Sequence, residues 1–263
     1  MSEKNAPVAD IKEEAARILA AAESDGFPLR LLGGLAIYFQ CPSIQDDARL
    51  QRAYKDFDFV TLGKWGSKTK ALFTRLGYTP SQAFNALHGY QRLLFWDTAH
   101  ERQVDIFIDR MQMCHTLDFR ARLQTADPRT LSLSDLLLTK LQIVEVNEKD
   151  LVDTMALFLD HDVLNHDGDY IPRLTASDWG LYKTLTINLG KVRAFALEKA
   201  FPEHIPTRVE SLLAAIEARP KTLSWKTRAM LGERVRWYEL PEDPRKMDEV
   251  NETGLDRRLF HSP

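Results

Sequence analysis

The sequence predicts an α+β fold: a small mixed β-sheet flanked by helices, followed by a helical C-terminal region. Three observations predict it. Short apolar segments of strand length fall between residues 29 and 108. Amphipathic patterns of helical period alternate with them, and from about residue 131 onward only helical patterns recur. The chain has 263 residues, 44% hydrophobic and 28% charged, enough to bury a core without disulfide staples.

The elements follow in order. Residues 8–24 carry Ile11, Ala15, Ile18 and Leu19 on one helical face, and Asp25-Gly26-Phe27-Pro28 stops the helix. Leu29 to Leu32 reads as a short strand, and Gly33-Gly34 opens a helical pattern over Leu35 to Phe39. Asp56 to Leu62 reads as a strand, residues 67–77 as a helix closed by Gly77, and Gly89 to Trp96 with Gln103 to Ile108 as a hairpin. Ser132 to Val146 is a helix, and residues 148–159 form another. The polar run from Asp160 to Asp169 reads as a loop, Ser177-Asp178 caps a long helix, and stretches near 206–218 and 222–237 complete the helical half. This divides the chain into a domain at 1–130, a helical domain at 131–240 and a loosely packed tail at 241–263.

Composition bounds the function. The formal net charge is -3, unlike a protein that binds long nucleic acid by charge alone. Cys41 and Cys114 form no metal-binding pair and read as buried reduced thiols, and Met1 to Asn5 leads into a charged helix without an apolar signal core. No run approaches the roughly 20 apolar residues of a bilayer span. The expectation is a cytoplasmic protein without a membrane partner.

Chemistry concentrates at Lys55-Asp56-Phe57-Asp58-Phe59-Val60. Strand side chains alternate, so Asp56 and Asp58 share one face while Phe57 and Phe59 anchor the other. Adjacent carboxylates repel, and a hard divalent cation such as Mg²⁺ or Mn²⁺ keeps both ionised. Two solvated aspartates at a strand start are the competing reading. Asp105 lies in the otherwise apolar Val104-Asp105-Ile106-Phe107-Ile108. A buried carboxylate needs a partner, and the options are a third metal ligand beside Asp56 and Asp58 or an ion pair with an arginine such as Arg92. Asp109, at the strand end, is a weaker candidate. Gly33 and Gly34 permit close backbone approach to a phosphate at a helix start, although a tight turn needs them equally. A phosphatase of the haloacid-dehalogenase type is disfavoured, because the residues before Asp56 are mostly polar.

Leu32-Gly33-Gly34-Leu35-Ala36, Arg52-Ala53-Tyr54-Lys55-Asp56-Phe57-Asp58 and Val104-Asp105-Ile106 together resemble the DNA polymerase β-type nucleotidyltransferase superfamily. Tyr54 stands where threonine is usual. The stretch Leu131 to Lys140 with Lys149-Asp150-Leu151-Val152-Asp153 is similar to the AbiEii-type toxin nucleotidyltransferases, with Asp135, Lys140 and Asp153 at matching positions and Lys70 with Arg75 as a looser match. The resemblance covers about residues 29–160. It implies a nucleotidyltransferase fold and transfer of a nucleoside monophosphate from an NTP such as ATP to an acceptor hydroxyl. Asp56, Asp58 and Asp105 would be catalytic metal ligands. Gly33, Gly34, Lys140 and Asp153 would bind nucleotide, with Lys140 also catalytic. It further implies an RNA acceptor, such as a tRNA 3′ end, and an antitoxin partner. Alternatives are an antibiotic-modifying enzyme and a catalytically degenerate nucleotide binder. Lys140 has an equal competing reading as a surface lysine paired with Asp135 or Glu145, and Asp153 one as a helix ion pair with Lys149.

Overall fold

A computed structural model describes residues 6–123 and 127–240. The proposed tail at 241–263 and the segment Met1 to Asn5 lie outside the described residues. The chain runs α1 (Ile11–Ser24), β1 (Arg30–Leu32), α2 (Gly33–Gln40), α3 (Ser43–Asp46), β2 (Phe57–Thr61), α4 (Gly66–Arg75), β3 (Thr79–Pro80), α5 (Gln82–His88), β4 (Arg92–Asp97), β5 (Arg102–Ile108), β6 (Arg110–Gln112) and β7 (Thr116–Asp118). Helices α6 (Leu133–Leu141), α7 (Glu148–Asp160), α8 (Val163–Asp167), α9 (Tyr170–Ser177), α10 (Trp179–Glu198), α11 (His204–Ala218) and α12 (Leu223–Leu231) follow. A five-stranded sheet has the order β1-β2-β5-β4-β3, and β6 pairs with β7 separately. The fold is α+β, a mixed sheet flanked by helices, as the sequence predicts.

Contacts divide the chain into two compact units. One contains residues up to Arg30 and Lys55–Arg110; the other contains Leu31–Tyr54 and Met111–Leu240. In the first unit, β2 runs parallel to β5, and β4 is antiparallel to both β5 and β3. One sheet face carries Phe57, Phe59 and Phe95, all buried, which pack with Phe73 of α4 and Tyr78. Burying each phenyl ring stabilises the unit by about 1.5–3 kcal/mol. The β4–β5 hairpin closes where Arg102 Nε donates to Asp97 at 2.7 Å. The same guanidinium donates to the carbonyls of Val8 and Ala9, clasping the chain ahead of α1.

In the second unit, α2, α6, α7, α9, α10 and α11 pack on one another through apolar faces. Ser132 caps α6 and Asp178 caps α10 by accepting backbone N–H groups three residues on. Asn147 and Asp150 form a capping box at the start of α7. Two expectations need correction. The helix predicted to reach Val146 stops at Leu141, where Asn188 donates to the freed carbonyls of Leu141 and Ile143. The polar run expected to be a loop contains α8, started by Asp162 accepting from the Leu164 N–H. Helix α12 buries no residue, and its Leu223 and Met230 are exposed.

Candidate active site

The alternation along β2 sorts the side chains as the sequence predicts. Phe57 and Phe59 are fully buried, Asp58 is half-buried and Asp56, one residue before the strand, is exposed. Parallel pairing aligns Asp58 with Asp105, so these two carboxylates sit side by side on the face opposite the phenylalanines. Antiparallel pairing sets Leu94 against Asp105, Arg92 against Phe107 and Trp96 against Gln103 on that same face.

Asp105 is only 5% exposed. Its Oδ1 accepts from Arg92 Nε and Nη2, both at 2.7 Å. Its Oδ2 accepts from Gln103 Nε2 at 2.6 Å, an i, i+2 contact along one strand. Burial pushes its pKa up, and the Asp56 charge pushes the same way. Arg92 and Gln103 pull it down, yet the net direction is upward. The arginine partner is therefore the one the sequence named as the alternative to a metal. The side-chain amide oxygen of Gln103, Oε1, is buried without a hydrogen-bond partner.

Hard carboxylate oxygens on adjacent strands suit Mg²⁺, and the pairing of β2 with β5 sets Asp58 beside Asp105. Among the described residues, no group of three or more His, Cys, Asp and Glu side chains is gathered to hold a metal. Both Asp105 oxygens are turned to Arg92 and Gln103. Asp56 and Asp58 are the carboxylates that could hold such a cation, while Asp105 is engaged by Arg92 and Gln103. Asp109 is committed elsewhere: at φ 63° it ends β5, and its Oδ1 accepts from the Gly63 N–H at 2.9 Å.

The remaining candidates lie in the second unit, inside a compact ion cluster. Asp153, on α7, receives Arg52 Nε on Oδ1 at 2.8 Å and Arg52 Nη2 on Oδ2 at 2.7 Å. Lys140 Nζ lies 2.9 Å from Asp153 and 3.0 Å from Asp150. The sequence offered Lys140 the partners Asp135 or Glu145; the structure gives it Asp150 and Asp153 instead. Asp135 pairs with Arg122 at 2.8 Å and accepts from Ser132. Burial opposes the ionised form of Asp153, but Lys140 and Arg52 overcome it and lower its pKa. Burial likewise opposes the Lys140 ammonium, and the two aspartates outweigh it.

The same cluster explains the glycine pair. Gly33 has φ 68°, a left-handed conformation that favours glycine. A Cβ on Gly34 would overlap the Arg52 guanidinium. Both glycines are buried. Arg52 is thus the residue that sequence reading passed over, although it stands in the quoted motif. It also lies over the Tyr54 ring, 4.4 Å from its centroid. The Tyr54 hydroxyl is buried without a partner, and burial pushes its pKa up to about 12 while Arg52 pulls the other way.

No family model matches the chain, and no curated protein matches it. Solved structures do. The lincomycin-bound lincosamide antibiotic adenylyltransferase LnuA is 15% identical, over 57% of this chain and 98% of that one, with a TM-score of 0.40. ANT(2″)-Ia in complex with adenylyl-2″-tobramycin is 17% identical, over 56% of this chain and 87% of that one, at 0.37. JHP933 from Helicobacter pylori is 13% identical, over 88% of this chain and 99% of that one, at 0.43. Likeness at this level assigns neither family nor activity. Among the described residues, no helix is long and apolar enough to cross a membrane.

Proposed function

We propose that this chain is a metal-dependent nucleotidyltransferase that moves a nucleoside monophosphate from an NTP to an acceptor hydroxyl. One observation carries the reading: parallel pairing sets Asp58 beside the buried Asp105, with Asp56 ahead on the same face and Phe57 and Phe59 locking the other. A bound divalent cation would neutralise the phosphates and the leaving pyrophosphate. Asp56 and Asp58 would hold that cation, and Asp105 would help to hold a second. Asp105 orients the acceptor hydroxyl and takes its proton while the hydroxyl oxygen bonds to the α-phosphorus and the bond to pyrophosphate breaks. The acceptor is an RNA and an antitoxin is the partner, a reading supported by the resemblance around Asp135, Lys140 and Asp153.

The test is incubation with labelled NTPs, Mg²⁺ and total RNA. The wild type labels an RNA; Asp58→Ala keeps its fold and loses transfer by on the order of 10²–10³-fold. Unchanged Mg²⁺-dependent NTP binding and transfer in that variant would remove the assignment. Label on a small hydroxylated antibiotic, with none on RNA, would move the acceptor to that class. A second reading, nucleotide binding without turnover, is favoured by the engagement of Lys140 with two aspartates. Calorimetric NTP binding with no label on any acceptor would establish it.

A further inference from the structure

On the carboxylate face of the first unit, one cation is already in place. Arg92 applies two N–H groups to a single oxygen of Asp105, while Gln103 occupies the other. The guanidinium is itself mostly enclosed, its side chain 18% exposed and its Cζ 5.1 Å from the Phe107 ring centroid and 5.8 Å from that of Phe84. A buried carboxylate bound by a cation is compensated only while that cation stays. With Oδ1 facing Arg92 and Oδ2 facing Gln103, neither oxygen of Asp105 is turned to a metal shared with Asp56 and Asp58. Among the described residues the three carboxylates do not gather.

We propose that Arg92 is an internal counter-cation that stands in for the metal at Asp105, so that metal binding to Asp105 requires Arg92 to withdraw. The inference rests on the proposed metal site and adds to it a residue that opposes the metal. Arg92 is a positioning residue here: it touches Asp105 and acts through it. Gln103 supports the exchange, because its buried, unpartnered side-chain amide oxygen gives this face one more neutral oxygen donor next to the carboxylate. Arg92 and the metal then compete for the same Oδ1. Removing Arg92 should strengthen metal binding, and only a direct competitor for Asp105 loses that gain when Asp105 is replaced as well.

The experiment titrates Mn²⁺ into the full chain and follows free Mn²⁺ by electron paramagnetic resonance, with folding checked by circular dichroism. Wild type, Arg92→Gln, Asp105→Asn and the double variant form a cycle, and Asp58→Asn serves as the site control. We expect Arg92→Gln to bind Mn²⁺ at least fivefold more tightly, and that gain to vanish in the Asp105→Asn background. A gain that persists there would show a general field effect and overturn the stand-in role. So would unchanged or weaker binding in a folded Arg92→Gln protein. Were Arg92→Gln to unfold, the wild type supplies the readout: the Arg92 Nε–H signal in a nitrogen-labelled sample should lose its protection from exchange on Mg²⁺ addition. A signal unaffected by saturating Mg²⁺ would overturn the proposal. If Asp58→Asn binds Mn²⁺ as the wild type does, the metal site itself fails, and the stand-in falls with it.

Discussion

Asp105 and Asp153 are both buried aspartates, each bonded to an arginine, and they titrate in opposite directions. Asp153 has two cations, Arg52 and Lys140, and its pKa falls despite burial. Asp105 has Arg92 and a neutral glutamine, and its pKa rises. Burial is of similar severity at the two positions, so the count of positive charges decides the sign. Compensation separates the two carboxylates. Asp153 is fully matched and holds helices together. Asp105 is matched in part, beside two further carboxylates, and is left wanting positive charge.

Breaking the matched site should have the largest effect on stability. Asp153→Ala leaves Arg52 and Lys140 with only Asp150 between them and should cost about 3–5 kcal/mol, read from urea unfolding. Gly34→Ala attacks the same cluster from the other side. The added methyl displaces the Arg52 guanidinium, at a cost of about 1–3 kcal/mol. Adding Arg52→Ala to that variant should cost little more, because the ion pair is already lost; full additivity would mean that the glycine matters for another reason. Asp105→Asn sharpens the contrast. It removes a charge that burial disfavours and keeps an amide oxygen where Arg92 can still donate, so its stability should stay within about 1 kcal/mol of the wild type. A loss as large as that of Asp153→Ala would erase the distinction.

The smallest effect is in pH. The lowered pKa of Asp153 contributes stability that is present above the ordinary Asp value of about 3.9 and is lost as pH falls through its lower folded value. The raised pKa of Asp105 does the reverse: its contribution is full below about 3.9 and lost as pH rises through its higher folded value. Unfolding followed from pH 2 to 6 should therefore show an acid limb that shrinks in Asp153→Asn and remains in Asp105→Asn.

Much of the first unit was legible in the sequence because its information is local. The alternation from Asp56 to Phe59 sets the two faces within a few residues, and Arg92 sits one hairpin strand from Asp105. The cap of α10 was legible for the same reason. The role of Arg52 was not, because its partner Asp153 lies 101 residues away. Without that contact, Gly34 reads as a phosphate-loop or a turn glycine, and Lys140 as a phosphate-binding cation or a lysine paired with Asp135 or Glu145. The early end of α6 was hidden likewise, since Asn188 supplies its terminal donors from a distant helix.

The two-residue rhythm of β2 also limits how this sequence can drift over generations. Deleting or inserting one residue between Lys55 and Phe59 would bring phenylalanines to the open face and aspartates into the aromatic core. Exchange of one residue for another, or a paired insertion, keeps the sides apart. In related chains this strand should therefore change by replacement while its length stays fixed, and length variation should collect in the connections on either side.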